Sequence, residues 1–353
     1  MKKPFLKKTL ALTLAGALAL TPLTGCGSKT EDAGTLNLFI WTEYVPESVL
    51  QGFEEETGIK VNITYASSNE DIYAKVHSEA EGTYDLIQPS DYMVEKMIAQ
   101  DMLEELDKSK LSNLGNLSDA YMDPSYDPGN VYSIPYMGGI AAIAVNTANV
   151  TTEITSYDDL FDTALAGQAV VLDDSRAIIG MTAKSLGYSM STSDPDELAE
   201  IEEKLLTLKD IITVYDSDSP KSVLISGDCN VGVMWNAEVA LAMEENPDIE
   251  IVFPEEGAYL FLDNWTIPKG AKNTDAAYQF IDYILTAEAS AACSEELPYL
   301  NPNTAALDIL GADYIDNIAK NIPDEVISAG EFIQNLDTDT QATYEAMWTK
   351  LKQ

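Results

Sequence analysis

The sequence predicts an α/β protein of two lobes with a ligand cleft between them, and three observations predict it. Short β-rich runs alternate with helical patterns along most of the chain. With 353 residues, 46% of them hydrophobic, the chain can form two ordinary domains around a sizeable core. A long apolar run from Val131 to Val145 is a candidate crossing between the lobes, and the β-rich run Tyr259 to Ile267 is a candidate return. Lobes joined by more than one crossing enclose a cleft, where small ligands are buried.

Taken in order, the first residues stand apart from the fold. Lys2, Lys3, Lys7 and Lys8 precede an apolar run from Leu10 to Leu20 that is too short for a stable bilayer-spanning helix, so residues 1–25 read as an export signal. The segment ends Leu23-Thr24-Gly25-Cys26, which resembles the lipobox of bacterial lipoproteins and implies lipidation at Cys26. Residues 26–34 then form a small, polar tether. No later stretch is apolar for long enough to cross a membrane, so the expected location is the extracytoplasmic face, held by a lipid anchor.

The mature body divides by pattern into a first lobe over residues 35–138, a second over 139–263, a return to the first over 264–307, and C-terminal helices over 308–353 that pack mainly on the second. Thr35 to Trp41 is a strand running into Thr42-Glu43-Tyr44-Val45-Pro46, where Pro46 suits the first turn of a helix. That helix carries Val49, Leu50 and Phe53 on one face and stops at Gly58. Lys60 to Tyr65 is a strand, Asn69 to Ala80 a helix, and Tyr84 to Gln88 a buried strand opening into Pro89-Ser90-Asp91-Tyr92, where Ser90 or Asp91 can cap the next helix. Within the crossing, Gly138-Gly139 reads as a permissive joint between two strands. Beyond it come a strand at Ala169 to Leu172 ending in Asp173-Asp174-Ser175-Arg176, a charged helix at Asp194 to Leu208, and strands at Thr213 to Tyr215, Asn230 to Trp235 and Ile249 to Phe253. The tail from Thr274 is mostly helical.

Charge excludes several functions. The net charge is −39, and loss of the four signal lysines makes the mature body more negative still. Such a field repels nucleic acid and concentrates cations. Arg176 is the only arginine, which disfavours anionic ligands, and His77 is the only histidine, which removes most histidine-based catalytic and zinc designs. His77 lies in a polar helical pattern and is expected at the surface. Cys229 and Cys293 could pair or stay free, and sequence does not give their separation.

The strand ends collect carboxylates (Glu43, Asp174, Asp263) and aromatics (Trp41, Tyr44, Tyr92, Trp235, Phe261). A polyamine is a methylene chain punctuated by ammonium groups. Ring faces suit both parts, attracting a cation by ~0.5–2 kcal/mol each according to exposure. Carboxylates supply charge-assisted hydrogen bonds.

These residues carry a family resemblance. Trp41-Thr42-Glu43-Tyr44-Val45-Pro46, Tyr84-Asp85-Leu86 with Pro89-Ser90-Asp91-Tyr92, Ser133-Ile134-Pro135-Tyr136, Met234-Trp235-Asn236 and Leu262-Asp263 with Ile267-Pro268 resemble the spermidine/putrescine-binding proteins of polyamine ABC transporters, from about Thr35 to the C-terminus. The resemblance implies a two-lobed periplasmic-binding-protein-like fold of type II and a binding role for Trp41, Thr42, Glu43, Tyr44, Ser90, Tyr92, Asp174, Trp235, Phe261, Asp263 and Gln334. It implies a monomeric, extracytoplasmic lipoprotein that delivers spermidine or putrescine to an ABC permease, with no cofactor, no metal and no catalysis. Each residue has a plainer reading: Tyr92 and Trp235 as core aromatics, Gln334 as a solvated helix residue, Asp174 as a helix N-cap. Two positions depart from the family: Ala177 stands where a glutamate is usual, and Phe261 where tryptophan is frequent. The first removes an ammonium partner and leaves spermidine against putrescine open. The competing readings are a binder of a sugar or another cation on the same fold, and an extracytoplasmic hydrolase using two carboxylates.

Overall fold

The computed structural model describes residues 34–353. The signal and Cys26 therefore lie outside the described residues. Ten strands form one continuous curled sheet: β1 (Thr35–Trp41), β2 (Lys60–Ala66), β3 (Leu86–Ile87), β4 (Ser133–Asn146), β5 (Ala169–Val171), β6 (Ile212–Tyr215), β7 (Val231–Trp235), β8 (Ile249–Val252), β9 (Tyr259–Thr266) and β10 (Glu331–Phe332). Their spatial order is β2-β1-β3-β9-β4-β7-β5-β6, with β8 on β4 and β10 on β9.

The two ends of this sheet are parallel, as alternating β and α segments require: β2-β1-β3 on one side and β7-β5-β6 on the other. Its centre is an antiparallel pair. β4 and β9 run side by side from Ser133↔Thr266 to Ala141↔Tyr259. The end of β9 at Thr266 pairs with β3, whereas β4 from Ala141 to Val145 pairs with β7. β4 thus carries the chain from one lobe to the other and β9 brings it back. Both strands are buried along their whole length, which explains their unbroken apolar reading.

Two details differ from the sequence expectation. The run at Gly138-Gly139 is no joint: β4 is a single strand of 14 residues, and its one register shift falls between Pro135 and Met137. The glycines serve close approach instead. A Cβ on Gly138 would lie 2.7 Å from the Phe261 carbonyl oxygen, and one on Gly139 would collide with Asn236 Oδ1 and the Phe261 ring. Asn236 needs that space because its Oδ1 accepts from the Ile140 N–H at 3.1 Å. Second, Pro46 stands at the N-cap of helix 47–57, one position before the first turn. Val49, Leu50 and Phe53 are buried on that helix and Gly58 closes it at φ 75°, as the pattern predicts.

The last helix, Thr338–Leu351, packs on helix Ser175–Lys184 and so on the β5 side of the sheet. Cys229 and Cys293 are both buried and unbonded. His77 is exposed, its ring stacked on Tyr73 with centroids 5.8 Å apart. Among the described residues no helix is long and apolar enough to cross a membrane.

Candidate functional site

Loops at the ends of β1, β3, β5, β6 and β7 meet the β9 face around a cavity of about 480 Å³. Trp41, Thr42, Glu43 and Tyr44 enter from the end of β1, Ser90 from the turn after β3, Asp174 from the turn after β5, Trp235 from the end of β7, and Phe261 and Asp263 from β9. A rim of rings is continuous: Trp235 meets Phe261 at 4.9 Å, Phe261 meets Tyr299 at 5.9 Å, and Tyr299 meets Tyr44 at 5.3 Å, all edge to face.

Asp263 lies at the floor, 4% exposed. Its Oδ1 accepts from Ser90 Oγ at 2.6 Å, and Ser90 is fixed in turn by Asn69, whose Nδ2 donates to Ser90 Oγ and whose Oδ1 accepts the Ser90 N–H, both at 3.0 Å. Ser90 occupies the N-cap position of helix Asp91–Ala99 yet makes no side-chain cap there, because its hydroxyl is committed to Asp263. Burial pushes the Asp263 carboxyl up to about 6, opposed by the Ser90 hydroxyl and by Tyr44 and Trp41 nearby. Among the described residues no lysine or arginine pairs with it. Tyr44 Oη and Trp41 Nε1, although close enough to act on Asp263, are buried without a completed hydrogen bond to any group among the described residues. A buried carboxylate without a cation, beside two idle polar atoms, is an unfinished arrangement whose chemical complement is a cation.

At the other side, Asp174 is the N-cap of helix 175–184: its Oδ1 accepts from the N–H of Arg176 at 2.8 Å and of Ala177 at 3.0 Å. The plainer reading of Asp174 therefore holds, and the carboxylate lines the cavity as well. Enclosure raises its pKa, and those two N–H groups and the Arg176 charge oppose the rise.

Two predicted residues do not line the cavity. Tyr92 is a buried aromatic, as its alternative reading has it; its Oη donates to Glu70 Oε1 at 3.2 Å, and its ring carries the Arg176 guanidinium at 5.0 Å. Gln334 is exposed, and contributes through its backbone: its N–H donates to Ser191 Oγ, and its carbonyl accepts from Arg176 Nη2 at 2.7 Å. Conversely, Glu70, Arg176, Asp218, Glu238 and Tyr299 line the cavity and were not singled out. A signal existed for some: Arg176 follows Asp174 by two, Glu238 follows Trp235 by three on one helical turn, and Asp218 lies just beyond β6. Tyr299 had none. Among the described residues no cluster of three or more His, Cys, Asp or Glu is arranged to hold a metal ion.

A two-lobed α/β chain with a cleft at its strand ends and an unfinished anionic floor is a solute-binding protein by architecture and by site. The chain belongs to the bacterial extracellular solute-binding protein family, whose pattern it matches over residues 48–322. It is 37% identical over 343 residues to the spermidine/putrescine-binding periplasmic protein of Salmonella typhimurium, covering 97% of each chain. It is 30% identical to the putrescine/cadaverine-binding protein of Pseudomonas aeruginosa, over 95% of this chain and 98% of that one. The spermidine/putrescine ABC transporter substrate-binding protein of Streptococcus pneumoniae superposes with a TM-score of 0.77 at 32% identity, over 90% of this chain and 98% of that one. A lipoprotein of Treponema pallidum superposes with a TM-score of 0.80 at 27% identity, over 90% and 99%.

Proposed function

We propose that this protein captures a polyamine of the spermidine or putrescine type in the cavity and hands it to an ABC import permease. The observation that carries this reading is Asp263: a buried carboxylate, pushed up to about 6 by burial, with no cationic partner among the described residues and with Trp41 Nε1 and Tyr44 Oη idle beside it. A ligand ammonium would give the buried Asp263 anion the cation it lacks through a charge-assisted hydrogen bond, while the methylenes lie against Trp235 and Phe261. The relatives named for spermidine, putrescine and cadaverine support the same class. Trp41, Thr42, Glu43, Tyr44, Ser90, Asp174, Trp235, Phe261 and Asp263 are the proposed lining, with Tyr92 and Gln334 acting through Glu70 and Arg176. Lipidation at Cys26, and with it the surface anchor, belongs to the same proposal and is checked by mass spectrometry of detergent-extracted protein.

Isothermal titration with putrescine, cadaverine, spermidine, spermine and a panel of neutral sugars tests it. Saturable binding of at least one amine is expected, and Trp235→Ala should weaken it by about tenfold, equivalent to ~1.4 kcal/mol. Heat from a sugar alone, or from nothing, would overturn the reading.

A further inference from the structure

Helix Asp91–Ala99 packs beside β9, and helix Thr338–Leu351 lies across the cleft from it on the β5 side. Among the described residues one side-chain hydrogen bond joins them: Lys96 Nζ donates to Gln341 Oε1 at 3.2 Å. Both groups are held in place from behind. Lys96 Nζ lies 4.4 Å from the centre of the Tyr73 ring, and Tyr73 Oη donates to Gln100 Oε1 at 2.7 Å, which ties that ring to the end of the helix carrying Lys96. Gln341 Nε2 donates to Glu345 Oε1 at 3.2 Å, one turn further along its own helix. An amide set between an ammonium and a carboxylate has one orientation that satisfies both, with its oxygen toward the lysine. Among the described residues Lys96 makes no ion pair, although the chain carries 59 acids; its partner across the cleft is a neutral amide.

The bond lies where two spaces meet. A groove of about 620 Å³ runs along the seam between the two sides, with Tyr73, Lys96 and Gln100 on one wall and Asp337 and Gln341 on the other. Glu70, Gln341 and Glu345 line both this groove and the ligand cavity. The contact of Arg176 with the Tyr92 ring crosses the same seam and is buried, whereas Lys96 and Gln341 are half-buried at its rim. We propose that Lys96 and Gln341 form a latch that holds the cleft closed and sets how fast a bound solute leaves. The two atoms meet only while the helices stand this close, so the bond contributes its free energy to the closed form alone, and opening must break it. The neutrality of the partner fits the place. A carboxylate at position 341 would compete for the ammonium groups of a ligand at the mouth of its own cavity, and an amide oxygen competes far less. Lys96 also has an effect of the opposite sign, because its charge repels a cationic ligand close by. The neutral member of the pair therefore gives the cleaner measure of the latch. The nature of the solute rests on the polyamine reading, and the latch on the contacts across the seam.

The test is stopped-flow release of spermidine and putrescine, followed by the fluorescence of Trp41 and Trp235 in the cavity wall. The proteins compared are the wild type, Gln341→Ala, Lys96→Met, the double variant, and Lys350→Met. Lys350 pairs with Glu202 outside both the cavity and the groove, and controls for the loss of one positive charge. The substituted positions are half-buried or exposed, so the variants should fold, and unchanged melting temperatures verify this. Gln341→Ala should speed release by about three- to tenfold, the scale of one hydrogen bond to a charged donor at partial exposure. Lys96→Met should speed it by less, since it removes the repulsion together with the bond, and adding Gln341→Ala to Lys96→Met should change nothing further. Lys350→Met should release as wild type. Wild-type release from Gln341→Ala overturns the latch, as does a further speeding when the two substitutions are combined. Equal speeding by Lys350→Met overturns it too, since the effect would then be one of total charge. Small-angle scattering of ligand-free protein reads the latch without any amine: the double variant should have a larger radius of gyration than the wild type, and equal radii overturn the latch. Absence of amine binding in the wild type removes the polyamine reading instead, and the scattering result then decides the latch alone.

Discussion

Replacing Asp263 by asparagine should abolish most ligand affinity and yet stabilise the ligand-free protein. The carboxyl group moves from an ordinary 3.8 to about 6 on folding, because burial disfavours the anion more than Ser90, Tyr44 and Trp41 favour it. An acid raised in the folded state holds a proton that the unfolded chain releases between those two values. Stability therefore falls as pH rises from about 4 to about 6, and above that the full cost is present, roughly 3 kcal/mol. Asparagine keeps the acceptor for the 2.6 Å Ser90 hydroxyl and carries no charge to desolvate. Urea unfolding of protein stripped of ligand by unfolding and refolding should show Asp263→Asn more stable than wild type by up to about 3 kcal/mol at pH 7.5, the gap closing toward pH 4. Polyamine affinity should fall by at least about a hundredfold, since a buried ammonium loses its only anion. A variant less stable than wild type at pH 7.5, or one that binds normally, would refute the view of Asp263 as an uncompensated charge awaiting a cation.

Other outcomes follow from the same geometry. Polyamine affinity should be level above pH 7 and weaken toward about tenfold per pH unit below about 6, as protonation of Asp263 competes with the ligand; Ser90→Ala, which removes a hydrogen bond to the anion, should move that midpoint upward in a titration series. Gly139→Ala forces a methyl against Asn236 Oδ1 and the Phe261 ring and should cost about 1–3 kcal/mol in urea unfolding; a change under about 0.5 would show that β4 and Asn236 can separate freely. Alkylation followed by peptide mapping should label Cys229 and Cys293 only after unfolding, both being buried thiols, and recovery of a peptide pair joined through them would contradict the structure.

Much of the fold was legible because its signals are local. Gly58 marked a helix end, Val49, Leu50 and Phe53 marked a buried face, and the apolar runs marked β4 and β9. The error at Gly138-Gly139 has a physical reason. Glycine admits both turns and close contacts, and only the partner decides which; that partner, Asn236, is 97 residues away from Gly139 in the chain. Nine of eleven proposed ligand residues line the cavity, because strand ends of an α/β sheet converge and residue type at those ends is visible in sequence. Tyr92 and Gln334 lie outside its lining because a position in a motif does not state whether side chain or backbone faces the cleft. Gln334 presents its carbonyl to Arg176, an interaction open to nearly any residue type.

Composition hides which charges are already engaged. With 59 acids in the chain, a carboxylate near a strand end is expected anywhere, and its value to a ligand depends on what else it holds. Asp174 spends one oxygen on two helix N–H groups and shares Arg176 with Glu70, and Glu238 gives both oxygens to Lys221. Asp263 has only a neutral hydroxyl. Three residues equal in formal charge therefore offer unequal attraction, ranked by unmet demand, with Asp263 first. The same ranking explains the helix N-cap that Ser90 forgoes. A cap is worth about 1 kcal/mol, and here Asp91 Oδ1 accepts the Tyr92 N–H while the Ser90 carbonyl accepts those of Met93 and Val94, whereas a buried carboxylate without a donor costs more than that. Ser90 meets the larger need, and what Asp263 still lacks is the cation.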